Sequence, residues 1–138
     1  ISRRIERSGG LGFGKEAELR TERQKTVKAA VSLADSIPEA QLMVFTRKGY
    51  MPVKAALLRP HAHIHAFTES ERMCRKVTLA RGVTARQIDF SEDLDDNIHR
   101  AVEMLKQEKV VSAGTPIVVI TDTMQRGQAV DSLQLIHA

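Results

Sequence analysis

Two kinds of hydrophobic pattern alternate along this chain. Residues 83–88 predict a further strand, and short, nearly continuous apolar runs occur at residues 42–46 (LMVFT), 64–68 (IHAFT) and 117–121 (IVVIT). Runs of that length predict strands buried on both faces. Between them, apolar positions recur at three- and four-residue spacing, which predicts helices. Thr21 can cap a helix over residues 21–36 that turns Val27, Ala30, Val31 and Ala34 inward and ends at Pro38. Pro52 suits the first turn of a second helix, with Val53, Ala56 and Leu57 on one side and Pro60 as its stop. A third helix spans 69–80, with Met73, Val77 and Ala80 inward and Gly82 closing it. Ser91 or Asp93 caps a fourth through residue 108, with Ile98, Ala101, Val102 and Leu105 inward. A polar turn at Gln125-Arg126-Gly127 leads into residues 132–137, where Leu133 and Leu135 alternate with Gln134. That alternation predicts a half-exposed edge strand running antiparallel.

Strands that alternate with helices imply right-handed crossovers and a parallel sheet covered on both faces. The expected fold is a three-layer α/β/α sandwich with a five-stranded, mostly parallel sheet and an antiparallel C-terminal edge strand. It should occupy residues 20–138. Residues 1–19 are expected to be the end of a preceding helix (ISRRIERS) followed by a linker rich in glycine, with Gly9, Gly10, Gly12 and Gly14. The GGLGFG segment does not follow a strand, so it is not read as a dinucleotide-binding turn. A chain that starts at Ile1 is expected to be a piece of something longer.

Composition narrows the function. The 138 residues suit one hydrophobic core. Aromatics are only 4%, so Val, Ile, Leu, Ala and Met must build it. No apolar run approaches the roughly 20 residues that span a bilayer, so no membrane partner is expected. The lone Cys74 cannot form an internal disulfide, which suits a reducing, cytoplasmic setting. The net charge of +4 is confined to residues 1–28, with eight Lys/Arg against four Asp/Glu; the remainder carries thirteen of each. A neutral globular part argues against a nucleic-acid partner.

Candidate chemistry follows from the sheet. In open α/β sheets, ligands bind beyond the C-terminal strand ends. Three such ends are Thr46, Thr68 and Thr121. Thr46 leads through Arg47, Lys48, Gly49 and Tyr50 into a helix start, whose outward N–H groups carry partial positive charge. Two full positive charges and a permissive glycine beside such a start suit a phosphate.

The order of these segments resembles a known family. Thr46-Arg47-Lys48-Gly49-Tyr50, then Leu58-Arg59-Pro60, Ile64-His65-Ala66-Phe67-Thr68, Arg75 and Leu79-Ala80-Arg81-Gly82-Val83 resemble the pyruvate kinase C-terminal domain. That family writes a strand ending T-x-S-G, a helix ending R-P, a strand I-x-A-x-T and an Arg-bearing helix ending in R-G-V or W-G-V. Gly114 with Ile117-Val118-Val119-Ile120-Thr121 is similar to its G-D-x-V-V-V strand. Ser132-Leu133-Gln134-Leu135 is similar to its T-N-T-x-x-V strand, and ISRRIERS resembles the last helix of its catalytic barrel.

The resemblance implies a regulatory and assembly domain. Its partners would be the catalytic barrel of the same chain, the other subunits of a homo-oligomer (a tetramer in the family) and a sugar-phosphate effector. The full enzyme would convert phosphoenolpyruvate and ADP to pyruvate and ATP. The catalytic lysine, with the Mg and K sites, would belong to the barrel, so no cofactor and no catalysis are expected of this domain. The implied effector residues are Thr46, Arg47, Lys48, Gly49, Tyr50, Thr121, Arg126 and Gly127. The family's hydroxyl-rich loop T-x-S-G-x-S has Lys48 and Met51 in place of its two serines, and its T-N pair falls on Val130-Asp131. The expectation is therefore a monophosphate or no effector, rather than a bisphosphate.

Other patterns have plainer readings. His61, His63 and His65 alternate and could share one face as a metal site, but His61 follows Pro60 in a turn and no carboxylate or cysteine is near in sequence. Residues 91–96 (SEDLDD) read as a helix cap with dipole-favourable carboxylates. Two other functions suit the same pattern. A free-standing α/β phosphate-ligand sensor of the same fold would differ in the length of its native gene. A small enzyme using the strand-end cleft would need a nucleophile or acid/base pair near the three threonines, and none is evident.

Overall fold

A computed structural model describes residues 11–138. The expectations for residues 1–10 lie outside the described residues. The elements run α1 (Leu11–Ser36), β1 (Gln41–Phe45), α2 (Tyr50–Leu57), β2 (Ile64–Thr68), α3 (Glu71–Thr78), β3 (Val83–Gln87), α4 (Leu94–Gln107), β4 (Pro116–Gln125) and β5 (Gln128–His137).

The sheet order is β3-β2-β1-β4-β5. β1 pairs in parallel with both β2 and β4, and β2 in parallel with β3. β5 closes the sheet as an antiparallel edge. The fold class and the direction of every strand agree with the sequence pattern. β2 is buried throughout, as are Leu42–Phe45 of β1 and Ile117–Thr121 of β4, as unbroken apolar runs require when helices cover both faces.

Alternation divides the core in two. On one face Leu42, Val44, Ile64, Ala66, Val118 and Ile120 pack against α1, α2 and α3. On the other, Met43, Phe45, Phe67, Ile117 and Val119 pack against Ile98, Ala101, Val102 and Leu105 of α4. Phe45 stacks on Phe67 with ring centroids 5.5 Å apart. The inward positions expected of α1 and α4 are all buried.

Three expectations are corrected. The first helix begins at Leu11 rather than Thr21, so Gly12 and Gly14 lie in helix rather than linker. Residues 15–20 are strong helix formers, and each internal glycine costs only about 1 kcal/mol. Next, α2 buries Met51, Pro52 and Ala55, while Leu57 is 68% exposed. Seven of its eight residues lack charge, so no single stripe is marked in the sequence. Finally, the last two strands each run ten residues, well beyond the apolar runs at 117–121 and 132–137. The extra length is a hairpin ladder from Asp122↔Asp131 to Gln125↔Gln128. Its two-residue turn has Arg126 at φ 50 and Gly127 at φ 78. Positive φ at both turn residues matches the right-handed twist of the strands.

Candidate functional site

β2 and β3 lie to one side of β1, and β4 lies to the other. The topological switch therefore falls between β1 and β4, where ligands of open α/β sheets bind beyond the strand ends. Phe45 pairs with Thr121 there, so the chain leaves β1 at Thr46 beside Asp122.

Thr46 is buried, and its Oγ1 accepts the backbone N–H of Gly49 at 2.8 Å. That bond folds Arg47 and Lys48 into an exposed bend. Gly49 caps α2 at φ 80 without a side-chain cap. The N–H groups of Tyr50 and Met51 follow, and neither has a backbone partner among the described residues. Pro52 has no N–H to give. The helix start thus offers two donors rather than the usual set, flanked by the Arg47 and Lys48 charges.

The structure separates the remaining predicted residues. Even-numbered positions of β4 face α1, and odd-numbered ones face α4. Thr121 therefore points away from the Thr46 rim, and its hydroxyl is engaged with that of Ser132 at 2.6 Å. Arg126 and Gly127 sit exposed at the hairpin tip, about 17 Å along the strand from Thr121 at the usual rise. Tyr50 carries its hydroxyl into the fold, where it is buried with no hydrogen-bond partner among the described residues. Lys54 Nζ lies 5.5 Å from the centre of its ring.

Sequence reasoning missed two rim residues. Arg23 of α1 reaches Asp131 at 3.3 and 3.5 Å and Asp122 at 4.0 Å. Burial holds the Asp122 carboxyl above the usual carboxylate range, and the charge on Asp131 adds to this; Arg23 and Arg47 pull it down. Asp122 was hidden because it follows the apolar run and reads as a loop residue. Arg23 lies 99 residues away in sequence, with no local signal to connect them.

The histidines build a different cluster, under α4 at the opposite end of the strands. His65 Nδ1 accepts from Arg86 at 3.0 Å, which leaves Nε2–H to donate to Gln41 Oε1 at 2.9 Å. Arg86 also donates to Glu108 at 2.8 Å. Burial, then the charges of His63 and Arg86, push His65 down to about 3. His63 bonds to Thr84 at 2.7 Å, while His61 offers its backbone N–H to Asp35. No group of three or more potential metal ligands occurs among the described residues. The acidic run acts as a cap, with Asp93 accepting from the N–H of Asp95 and Asp96 held by Arg100. An open groove of ≈ 540 Å³, bordered by Gln41, Lys106, Lys109 and Thr115, lies at the strand-start end, away from the rim.

Comparison with known proteins accords with this architecture. The family model described as "Pyruvate kinase, alpha/beta domain" matches residues 24–136. The plastidial pyruvate kinase 3 of Arabidopsis thaliana is 33% identical over 96 residues, 70% of this chain and 17% of that protein. The chloroplastic pyruvate kinase isozyme A of Nicotiana tabacum is 25% identical over 108 residues, 78% of this chain and 18% of that protein. The solved pyruvate kinase of Cryptosporidium parvum in complex with ADP superposes with a TM-score of 0.77 at 17% identity, over 83% of this chain and 23% of that one. This chain thus spans less than a quarter of the length of each protein it resembles.

Proposed function

The chain belongs to the pyruvate kinase alpha/beta-domain family, and we propose that it serves as the regulatory and assembly domain of such a kinase, with a phosphate-accepting rim at the β1–β4 switch point. The parent enzyme would transfer phosphate from phosphoenolpyruvate to ADP in glycolysis. Its chemistry would reside in a catalytic barrel of the same chain, together with the Mg and K that barrel holds. Homo-oligomeric assembly would follow the family. The reducing compartment that suits Cys74 accommodates the cytoplasm and also a plastid, which the names of the plant relatives specify for those proteins.

The observation that carries the rim reading is the juncture of Thr46 with α2. A self-bonded loop exposes Arg47 and Lys48 beside two unpartnered N–H groups. Those two donors and two cations suit one phosphate. The described rim offers no second cluster of donors at the reach of a bisphosphate, since Arg126 stands at the hairpin tip and Thr121 faces the other side. We therefore favour a monophosphorylated effector over a bisphosphate. Calorimetric titration with glucose 6-phosphate and fructose 1,6-bisphosphate tests this. Saturable monophosphate binding that Lys48→Ala abolishes is expected; tight bisphosphate binding indifferent to Lys48→Ala would refute it.

A further inference from the structure

Resting on the rim reading above, we propose that Asp122 and Asp131 determine the charge of the ligand the rim accepts, by acting as a built-in anion that occupies Arg23 and repels polyanions. The two residues are direct partners across the β4–β5 ladder. Like charges in that position destabilise a ladder unless something offsets them. The offset comes from Arg23, which α1 holds 3.3 Å from Asp131 and 4.0 Å from Asp122. One guanidinium cannot neutralise two carboxylates, so negative charge remains beside the bend that carries Arg47 and Lys48.

Two consequences reach the ligand. Arg23 adds a cation to Arg47 and Lys48 at this end of the sheet, and its donors are turned to the protein's own carboxylates rather than to the cleft. The residual charge then opposes each further negative charge a ligand brings, by about fivefold in affinity per charge at a partly exposed rim. A second phosphate is penalised most.

The charge is also adjustable. The groups facing Asp122 are Arg23 from α1, Asp131 from β5 and Arg47 from the loop after β1. Burial and Asp131 raise Asp122 above ordinary carboxylates, so it takes a proton sooner than an ordinary carboxylate does as pH falls. Protonation removes one negative charge from the rim and strengthens anion binding.

Sulfate is a suitable probe, because its charge is constant from pH 8 to pH 5. The 138-residue chain is titrated with sulfate at both pH values, with backbone amide NMR shifts of Tyr50 and Met51 as the readout. From pH 8 to pH 5, wild type is expected to gain more affinity for sulfate than Asp122→Asn does, because only wild type carries the raised carboxyl. Asp122→Asn, which carries the same histidines, is expected to bind at pH 8 about fivefold more tightly than wild type. If Asp122→Asn fails to fold, Asp131→Asn, which also removes one carboxylate from the pair, carries the comparison at pH 8. Equal affinity of wild type and variant at both pH values overturns this proposal and leaves the rim reading standing. Sulfate that binds neither protein, or whose binding survives Lys48→Ala, overturns both.

Discussion

The hydroxyl of Thr46 accepts the N–H of Gly49 at 2.8 Å, and this bond fixes how the chain turns from the central strand into α2. Both groups are buried, so each would lose water without gaining a partner if the other were removed. Replacing Thr46 by Val keeps the shape and orphans the Gly49 N–H. A loss of about 1–2 kcal/mol is expected in urea denaturation. Thr46→Ser, which restores the acceptor, should recover most of it. A harmless Thr46→Val beside a costly Thr46→Ser would mean that the methyl group, rather than the bond, matters.

Gly49 is constrained from a second direction. Its φ of 80 is left-handed, and a Cβ placed there would lie 2.8 Å from Met73 Sδ and 3.2 Å from Val77 Cγ2. Gly49→Ala therefore combines backbone strain with a clash against α3. A destabilisation of about 2–3 kcal/mol is expected from thermal or urea unfolding. Measured against Met73→Ala alone, adding Gly49→Ala should cost less than it does in wild type, since only the contact with Val77 and the backbone strain remain.

Tyr50 behaves differently from its neighbours in the bend. Its hydroxyl is buried and unpartnered, so Tyr50→Phe is expected to be neutral or to stabilise by up to about 1 kcal/mol. Phosphate binding should be unchanged, because the rim uses the backbone of Tyr50. A marked loss of binding in Tyr50→Phe would show that the hydroxyl does reach the ligand.

The His65 cluster gives the fold a pH limb of its own. Burial depresses His65 from 6.5 to about 3, so the folded state holds it neutral while the unfolded chain protonates it. Stability from this group is complete above pH 6.5 and is lost as pH falls toward 3. The expected loss is about 2 kcal/mol by pH 5. Urea midpoints at pH 7 and pH 5 measure it. His65→Leu should flatten that interval, whatever it does to stability at pH 7. A wild-type curve flat between pH 7 and pH 5 would contradict the assigned neutrality.

Most of the fold was legible because burial on two faces writes itself as an unbroken apolar run. LMVFT, IHAFT and IVVIT each became a strand of the sheet, with Thr46 just past the end of the first, and the spacing of Val27, Ala30, Val31 and Ala34 marked the face of α1. The second half of β4 and the first residues of β5 were not legible, since ladder hydrogen bonds and a tight turn hold them without an apolar signature. The candidate site was legible only where it is local. Thr46 to Tyr50 are contiguous and were found together. Arg23 with Asp131 is a contact across 108 residues of sequence. Thr121 was grouped with Thr46 because both tip apolar runs, but a one-residue difference in register puts their side chains on opposite faces.

The rim itself is tested most directly by backbone amide NMR of the chain titrated with glucose 6-phosphate. The account predicts saturable shifts centred on Tyr50 and Met51, lost in Lys48→Ala. Shifts centred instead on the Lys106–Lys109 groove, or no shift at Tyr50 and Met51 at saturating ligand, would contradict it.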